Sequence, residues 1–123
     1  MNSSIAIFIF LAALLPFVAA VSAKAGGKGF SNQEPRHWLT QQSGWRGRAN
    51  AAQANLFESL PYFYAALLYA YFNGAELVLI QWFASCWLLL RLAYIFAYIK
   101  NTATLRSLLW VLAFACNALL LFA

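Results

Sequence analysis

The chain has 123 residues, of which 64% are hydrophobic and only 9% charged, with a formal net charge of +5. Soluble domains carry about 25% charged and about 45–50% apolar residues, and small ones still expose much of their surface, so a water-soluble fold is excluded. Lipid as the solvent accounts for both numbers, and the length suits a single domain.

The first predicted span is 5–23, which is free of charge. Val21-Ser22-Ala23 has the small-residue look of a signal-peptide cleavage site. However, Met1–Ser4 carries no Lys or Arg and the apolar run is long, so the segment reads as a membrane helix. Residues 24–47 form the one long polar stretch. Lys24-Ala25-Gly26-Gly27-Lys28-Gly29 reads as a flexible basic turn, and Ser31-Asn32-Gln33-Glu34-Pro35-Arg36 is turn-forming. The second span, 49–72, is the least apolar, holding Asn50, Gln53, Asn55, Glu58, Ser59 and Pro61. Asn73-Gly74 ends it. The third, 77–99, contains Arg91; a turn at Lys100-Asn101-Thr102 leads to the fourth, 104–123, with Arg106 near its start and Asn117 deep inside. The short second and third connections imply antiparallel neighbours. The predicted architecture is therefore an all-α, integral membrane, four-helix up-down bundle in contact with the lipid bilayer.

Lys and Arg placement predicts orientation. Loop 24–47 holds Lys24, Lys28, Arg36 and Arg46, Arg48 follows it closely, and the third connection is flanked by Lys100 and Arg106. The second connection offers only Glu76. Loop 24–47 is expected in the cytoplasm and both termini outside it. The basic residues lie between apolar spans, where they set topology and meet anionic lipid, so nucleic acid is not an expected partner.

Ionisable groups inside a span cost about 2.5–3.5 kcal/mol each on insertion scales. Glu58 lies ten residues beyond Arg48, and Arg91 nine before Lys100, which puts both about 13–15 Å below one membrane face. Opposite charges at matching depth predict a Glu58–Arg91 pair, either as a packing staple or as part of a site. Arg48, Asn55, Glu58 and Tyr62 fall within an arc of about 80° on the second helix. Arg91, Tyr94 and Tyr98 share a face of the third, and Arg106, Trp110 and Asn117 a face of the fourth. Together the stripes describe a cationic, hydrogen-bonding cleft open to the cytoplasm and suited to an anionic, partly polar ligand. Cys86 and Cys116 read as apolar packing residues, His37 as a surface residue, and Gln81 and Ser85 as helix–helix hydrogen-bonding groups. The sequence contains no Gly-rich phosphate loop, no His/Cys metal cluster and no nucleophile elbow, so no metal is expected.

The stretch Arg48-Ala49-x-x-Ala52-x-x-Asn55-x-x-Glu58-x-x-Pro61-x-Phe63 resembles the second-helix signature of the membrane-associated proteins in eicosanoid and glutathione metabolism. Asn32-x-Glu34-Pro35-Arg36 is similar to the first loop of that family's bacterial members. Arg91-x-x-Tyr94-x-x-x-Tyr98, followed by Arg106, is similar to helices of its eicosanoid-synthase branch. The resemblance implies a homotrimer in a bacterial inner membrane, with glutathione bound between subunits near the cytoplasmic face and a lipophilic small molecule as co-substrate. It assigns glutathione binding to Arg48, Asn55, Glu58, Arg91, Tyr94 and Tyr98, and thiolate stabilisation, the catalytic role, to Arg106. Two departures stand out. Ala51 and Ala54 occupy positions where glutathione-using members carry basic residues, and the stretch from Tyr98 to Arg106 differs by one residue. Two functions follow: a glutathione transferase or peroxidase acting on lipophilic electrophiles, or a non-catalytic membrane protein binding an anionic lipid or small molecule.

Overall fold

The computed structural model describes residues 3–123, and every regular element within them is a helix: α1 (Ser3–Lys24), α2 (Pro35–Thr40), α3 (Gly44–Phe72), α4 (Leu77–Ile99) and α5 (Ala103–Leu121). Helices α1, α4 and α5 are each long and apolar enough to cross a membrane. The chain is an integral membrane protein. Helix α3 is the longest, at 29 residues, about 43 Å at 1.5 Å per residue. It is the least apolar of the long helices and packs against α1, α4 and α5, which completes the four-helix bundle.

The predicted third span coincides with α4. The predicted second span begins five residues late, because α3 already starts at Gly44 and so includes Arg46 and Arg48. Both turns end as expected. Gly74, at φ 82°, and Asn101, at φ 60°, take the left-handed conformation just past α3 and α4. The next residue in each case donates its N–H back into the helix, Ala75 to Ala70 O and Thr102 to Ala97 O, a pairing that satisfies otherwise orphaned carbonyls.

Small residues allow the helices to approach closely. Ala12, Ala19 and Ala23 of α1, and Ala49, Ala52, Ala66 and Ala70 of α3, are fully or almost fully buried. In lipid, association rests on such close packing and on hydrogen bonds rather than on the hydrophobic effect. The Tyr64 hydroxyl adds one such bond, donating to Ile9 O of α1 at 2.9 Å. Between α3 and α4, Phe63 stacks on Trp87 with centroids 3.9 Å apart and planes 8° from parallel.

Loop 24–47 is more organised than its composition suggests. Six of its residues form α2. Trp38 of α2 is buried, donates Nε1–H to Lys28 O at 3.0 Å and meets Phe30 edge-on. A Cβ at Gly27 would lie 2.4 Å from the Trp38 ring, so only glycine permits that approach. Two arginines of α3 tie this end of the bundle together. Arg46 donates to Ala23 O at 2.8 Å, and Arg48 donates through both Nε and Nη2 to Ile99 O at 3.1 and 3.0 Å. Each reaches a carbonyl in the last turn of an antiparallel neighbour, where helix dipoles favour a cation. The same end holds Lys24, Lys28, Arg36, Lys100 and Arg106. Of the eight basic residues in the chain, only Arg91 lies away from it.

Candidate functional site

Arg91 organises the polar interior. Its residue surface is 1% exposed. The α4 stripe points it at α3, where Nη2 donates to Asn55 Oδ1 at 2.6 Å and to Ser59 Oγ at 3.4 Å. Ser59 in turn donates to Leu56 O. The guanidinium also lies 4.3 Å over the Tyr94 ring.

The expected Glu58–Arg91 ion pair does not form within the chain. Glu58 is exposed, and Arg91 is taken by Asn55 and Ser59. The depth match holds, but the azimuth decides the partner. On α3 Asn55 and Ser59 lie about 40° apart, whereas Glu58 lies about 60° to the other side of Asn55. Glu58 nonetheless borders the same cavity as Arg91.

That cavity, about 180 Å³, opens among α3, α4 and α5. Asn55, Glu58, Ser59 and Tyr62 contribute from α3, and Trp87 and Arg91 from α4. Helix α5 closes it with Trp110, Ala113, Phe114 and Asn117. Three predicted polar stripes thus converge, with Asn55, Glu58, Tyr62, Arg91, Trp110 and Asn117 brought together. Ser59, Trp87 and Phe114 were missed. Ser59 was legible as a polar residue one turn past Asn55, and Trp87 as the residue one turn before Arg91.

The remaining predicted residues lie toward the basic end. Tyr94 is buried and meets the half-buried Tyr98 edge-on at 5.7 Å. Arg106 lies 4.5 Å over the Tyr98 ring and is itself half-buried. A continuous ladder of Arg91, Tyr94, Tyr98 and Arg106 therefore runs from mid-bundle to the start of α5. Among the described residues, no acid is bonded to the Arg106 guanidinium. Arg48 lies apart from the cavity, on Ile99 O. Cys116 is buried in the core and Cys86 half-buried beside it, both as free thiols. His37 is exposed on α2, with Gln41 Nε2 3.3 Å from its Nε2.

A second hollow, about 320 Å³, lies where α2 meets α3 and is bordered by Arg36, Asn50, Gln53, Ala54 and Phe57 among others. Arg36 thus shares a hollow with Ala54, one of the two positions that lack the expected basic residue.

The sequence pattern that defines the MAPEG family matches residues 3–123. The chain belongs to the MAPEG family. Neither the curated proteins nor the solved structures contain a match to it. Family membership covers essentially the whole described chain, including the α3 signature and the ladder on α4 and α5. The ladder and cavity are therefore features of a MAPEG subunit.

Proposed function

We propose that this MAPEG protein is a membrane-bound transferase or peroxidase of the glutathione type, acting on lipophilic electrophiles at a site completed between subunits on the cytoplasmic side. The observation that carries the proposal is the half-buried Arg106 guanidinium, seated over Tyr98 with no acid among the described residues bonded to it. A free thiol has a pKa near 8.5 and reacts as its thiolate. A fixed cation beside it favours ionisation, and arginine keeps its charge when partly desolvated. In the reaction, the thiol proton leaves to water and the thiolate is held against Arg106. In the transferase case its lone pair forms a C–S bond while the electrophile's leaving group departs with the electrons of the broken bond; in the peroxidase case it attacks the O–O bond, an alcohol leaves, and a second thiol displaces water to give the disulfide.

Glutathione fits the residues of one subunit only in part. A cavity of about 180 Å³ is smaller than the ~300–1,000 Å³ of ordinary ligand pockets. The exposed Glu58 carboxylate suits an ammonium group, but Ala51 and Ala54 offer nothing to a carboxylate. Arg36, which borders the same hollow as Ala54, does. The Arg36 hollow and the Arg91 cavity face directions about 140° apart around α3, so a ligand using both needs two copies of the chain. A homotrimer meets this need, since each α3 would present its hollow to one neighbour and its cavity to the other.

The test is thiol conjugation by purified protein with a set of electrophiles and hydroperoxides. Arg106→Ala is expected to abolish turnover while leaving the oligomer and its melting temperature nearly unchanged, and Arg106→Lys to retain part of it. Absence of thiol-dependent turnover in the wild type with every electrophile and hydroperoxide would reject the enzymatic reading in favour of ligand binding alone.

A further inference from the structure

A helix end leaves its last carbonyls without intrahelical donors. At the end of α4, backbone N–H groups of the following turn satisfy three of them. Lys100 N donates to Phe96 O at 3.0 Å, Thr102 N to Ala97 O at 2.9 Å and Asn101 N to Tyr98 O at 3.1 Å. Among the described residues, the fourth carbonyl, Ile99 O, has a single donor group. It is the Arg48 guanidinium of α3, through Nε at 3.1 Å and Nη2 at 3.0 Å. Two bonds from a rigid, planar fork fix both the distance and the direction of the α4 end relative to α3.

The neighbours of Ile99 are the residues that seat Arg106. Tyr98, one position earlier, lies under the Arg106 guanidinium at 4.5 Å and meets Tyr94 edge-on at 5.7 Å. Lys100, Asn101 and Thr102 form the turn into α5, and Thr102 O accepts the Arg106 N–H at 2.9 Å. The Arg106 guanidinium is therefore placed by the Tyr98 ring on one side and by the backbone of this turn on the other. Both hang from the α4 end that Arg48 holds.

We propose, resting on the thiolate reading given above, that Arg48 is a positioning residue. Through Ile99 O it holds Tyr98 and turn 100–102 so that the Arg106 guanidinium stays at the distance at which it stabilises a thiolate. Arg48 itself touches neither the thiol nor the electrophile. The size of the effect follows from Coulomb's law. Moving a cation from about 4 to about 5 Å from a sulfur, at an effective dielectric constant of about 20, raises the thiol pKa by about 0.6, or about fourfold in thiolate fraction. Arg46 supplies the control. It makes the same kind of bond, to Ala23 O in the last turn of α1 at 2.8 Å, but α1 carries none of the ladder.

The test follows the ultraviolet thiolate absorbance of glutathione bound to the full-length protein in detergent as a function of pH. Arg48→Ala is expected to raise the pKa of the bound thiol by about 0.6. Arg48→Lys, which keeps the charge but loses the fork, should raise it less, and Arg46→Ala not at all. S-methylglutathione, which has no thiol to ionise, should bind all three variants as tightly as the wild type. Three results overturn the proposal: an unchanged thiol pKa in Arg48→Ala beside a lowered melting temperature, an equal rise in Arg46→Ala, or weakened S-methylglutathione binding in Arg48→Ala, which would make Arg48 a ligand contact. Should Arg48→Ala not fold, Arg48→Lys carries the same comparisons. A second measurement needs no thiol. In the unliganded protein, amide hydrogen exchange across residues 100–106 should quicken in both Arg48 variants, while exchange across 73–77 stays as in the wild type. Unchanged exchange at 100–106 overturns the proposal by itself. A wild type without a thiolate signal refutes the thiolate reading and the catalytic sense of the proposal, whereas faster exchange at 100–106 would still assign Arg48 its hold on the turn.

Discussion

The Arg91–Asn55 bond is the strongest test of how the interior is held. Asn55→Leu removes a 2.6 Å hydrogen bond to a buried guanidinium and leaves Arg91 with Ser59 at 3.4 Å. Hydrogen bonds to charged groups contribute about 1.5–3 kcal/mol in soluble proteins. Between membrane helices, measured couplings average about 0.6 and reach about 1.7 kcal/mol. The short distance and near-complete burial put this bond at the upper end, so about 1.5 kcal/mol is expected. For a chain of this size that corresponds to a fall in melting temperature of about 4–10 °C, on scaling from soluble domains. Thermal melts in one detergent, on Asn55→Leu, Arg91→Leu and the double variant, give the coupling directly. A parallel cycle on Glu58→Gln and Arg91→Leu should give a clearly smaller coupling. If the Glu58 cycle equals or exceeds the Asn55 cycle, the assignment of Arg91's partners is refuted.

Arg48→Ala should lower the melting temperature by several degrees, since it strips both bonds from Ile99 O, and should leave ligand binding in the cavity unchanged; a loss of binding at unchanged stability would place Arg48 in the site instead. Reporter fusions at Gly74 and at the C-terminus should both report the non-cytoplasmic side, and an active cytoplasmic reporter at either place contradicts the proposed orientation. Mass measurement in detergent, corrected for bound detergent, should give three subunits, and a clean monomer or dimer at low detergent removes the intersubunit site.

Much of this was legible from local signals. Asn73-Gly74 and Asn101 stop helices for stereochemical reasons that need no tertiary context. The stripes through Asn55, Arg91 and Asn117 follow from helical period alone, and they do converge on one cavity. What depends on relative helix rotation was not legible. Glu58 and Asn55 share the stripe, and depth could not tell which of them would face Arg91. Arg48 sits on that stripe too, yet it ends on a carbonyl 51 residues away, a contact set by how α3 lies beside α4. Loop 24–47 has the glycine and lysine content of a flexible turn. Its order comes from Trp38, whose ring fills the space over Gly27, a pairing that composition does not reveal.

On the proposed function, Arg106 stabilises a thiolate at the basic end of the ladder. Titration of the purified protein with glutathione, followed by ultraviolet thiolate absorbance and calorimetry at neutral pH, tests it most directly. Saturable binding and a thiolate signal are expected in the wild type. Arg106→Ala should lose the signal and Arg106→Lys should reduce it, with the fold unchanged in both. Saturable glutathione binding with the same thiolate signal in Arg106→Ala, or no thiolate signal in the wild type, would contradict it.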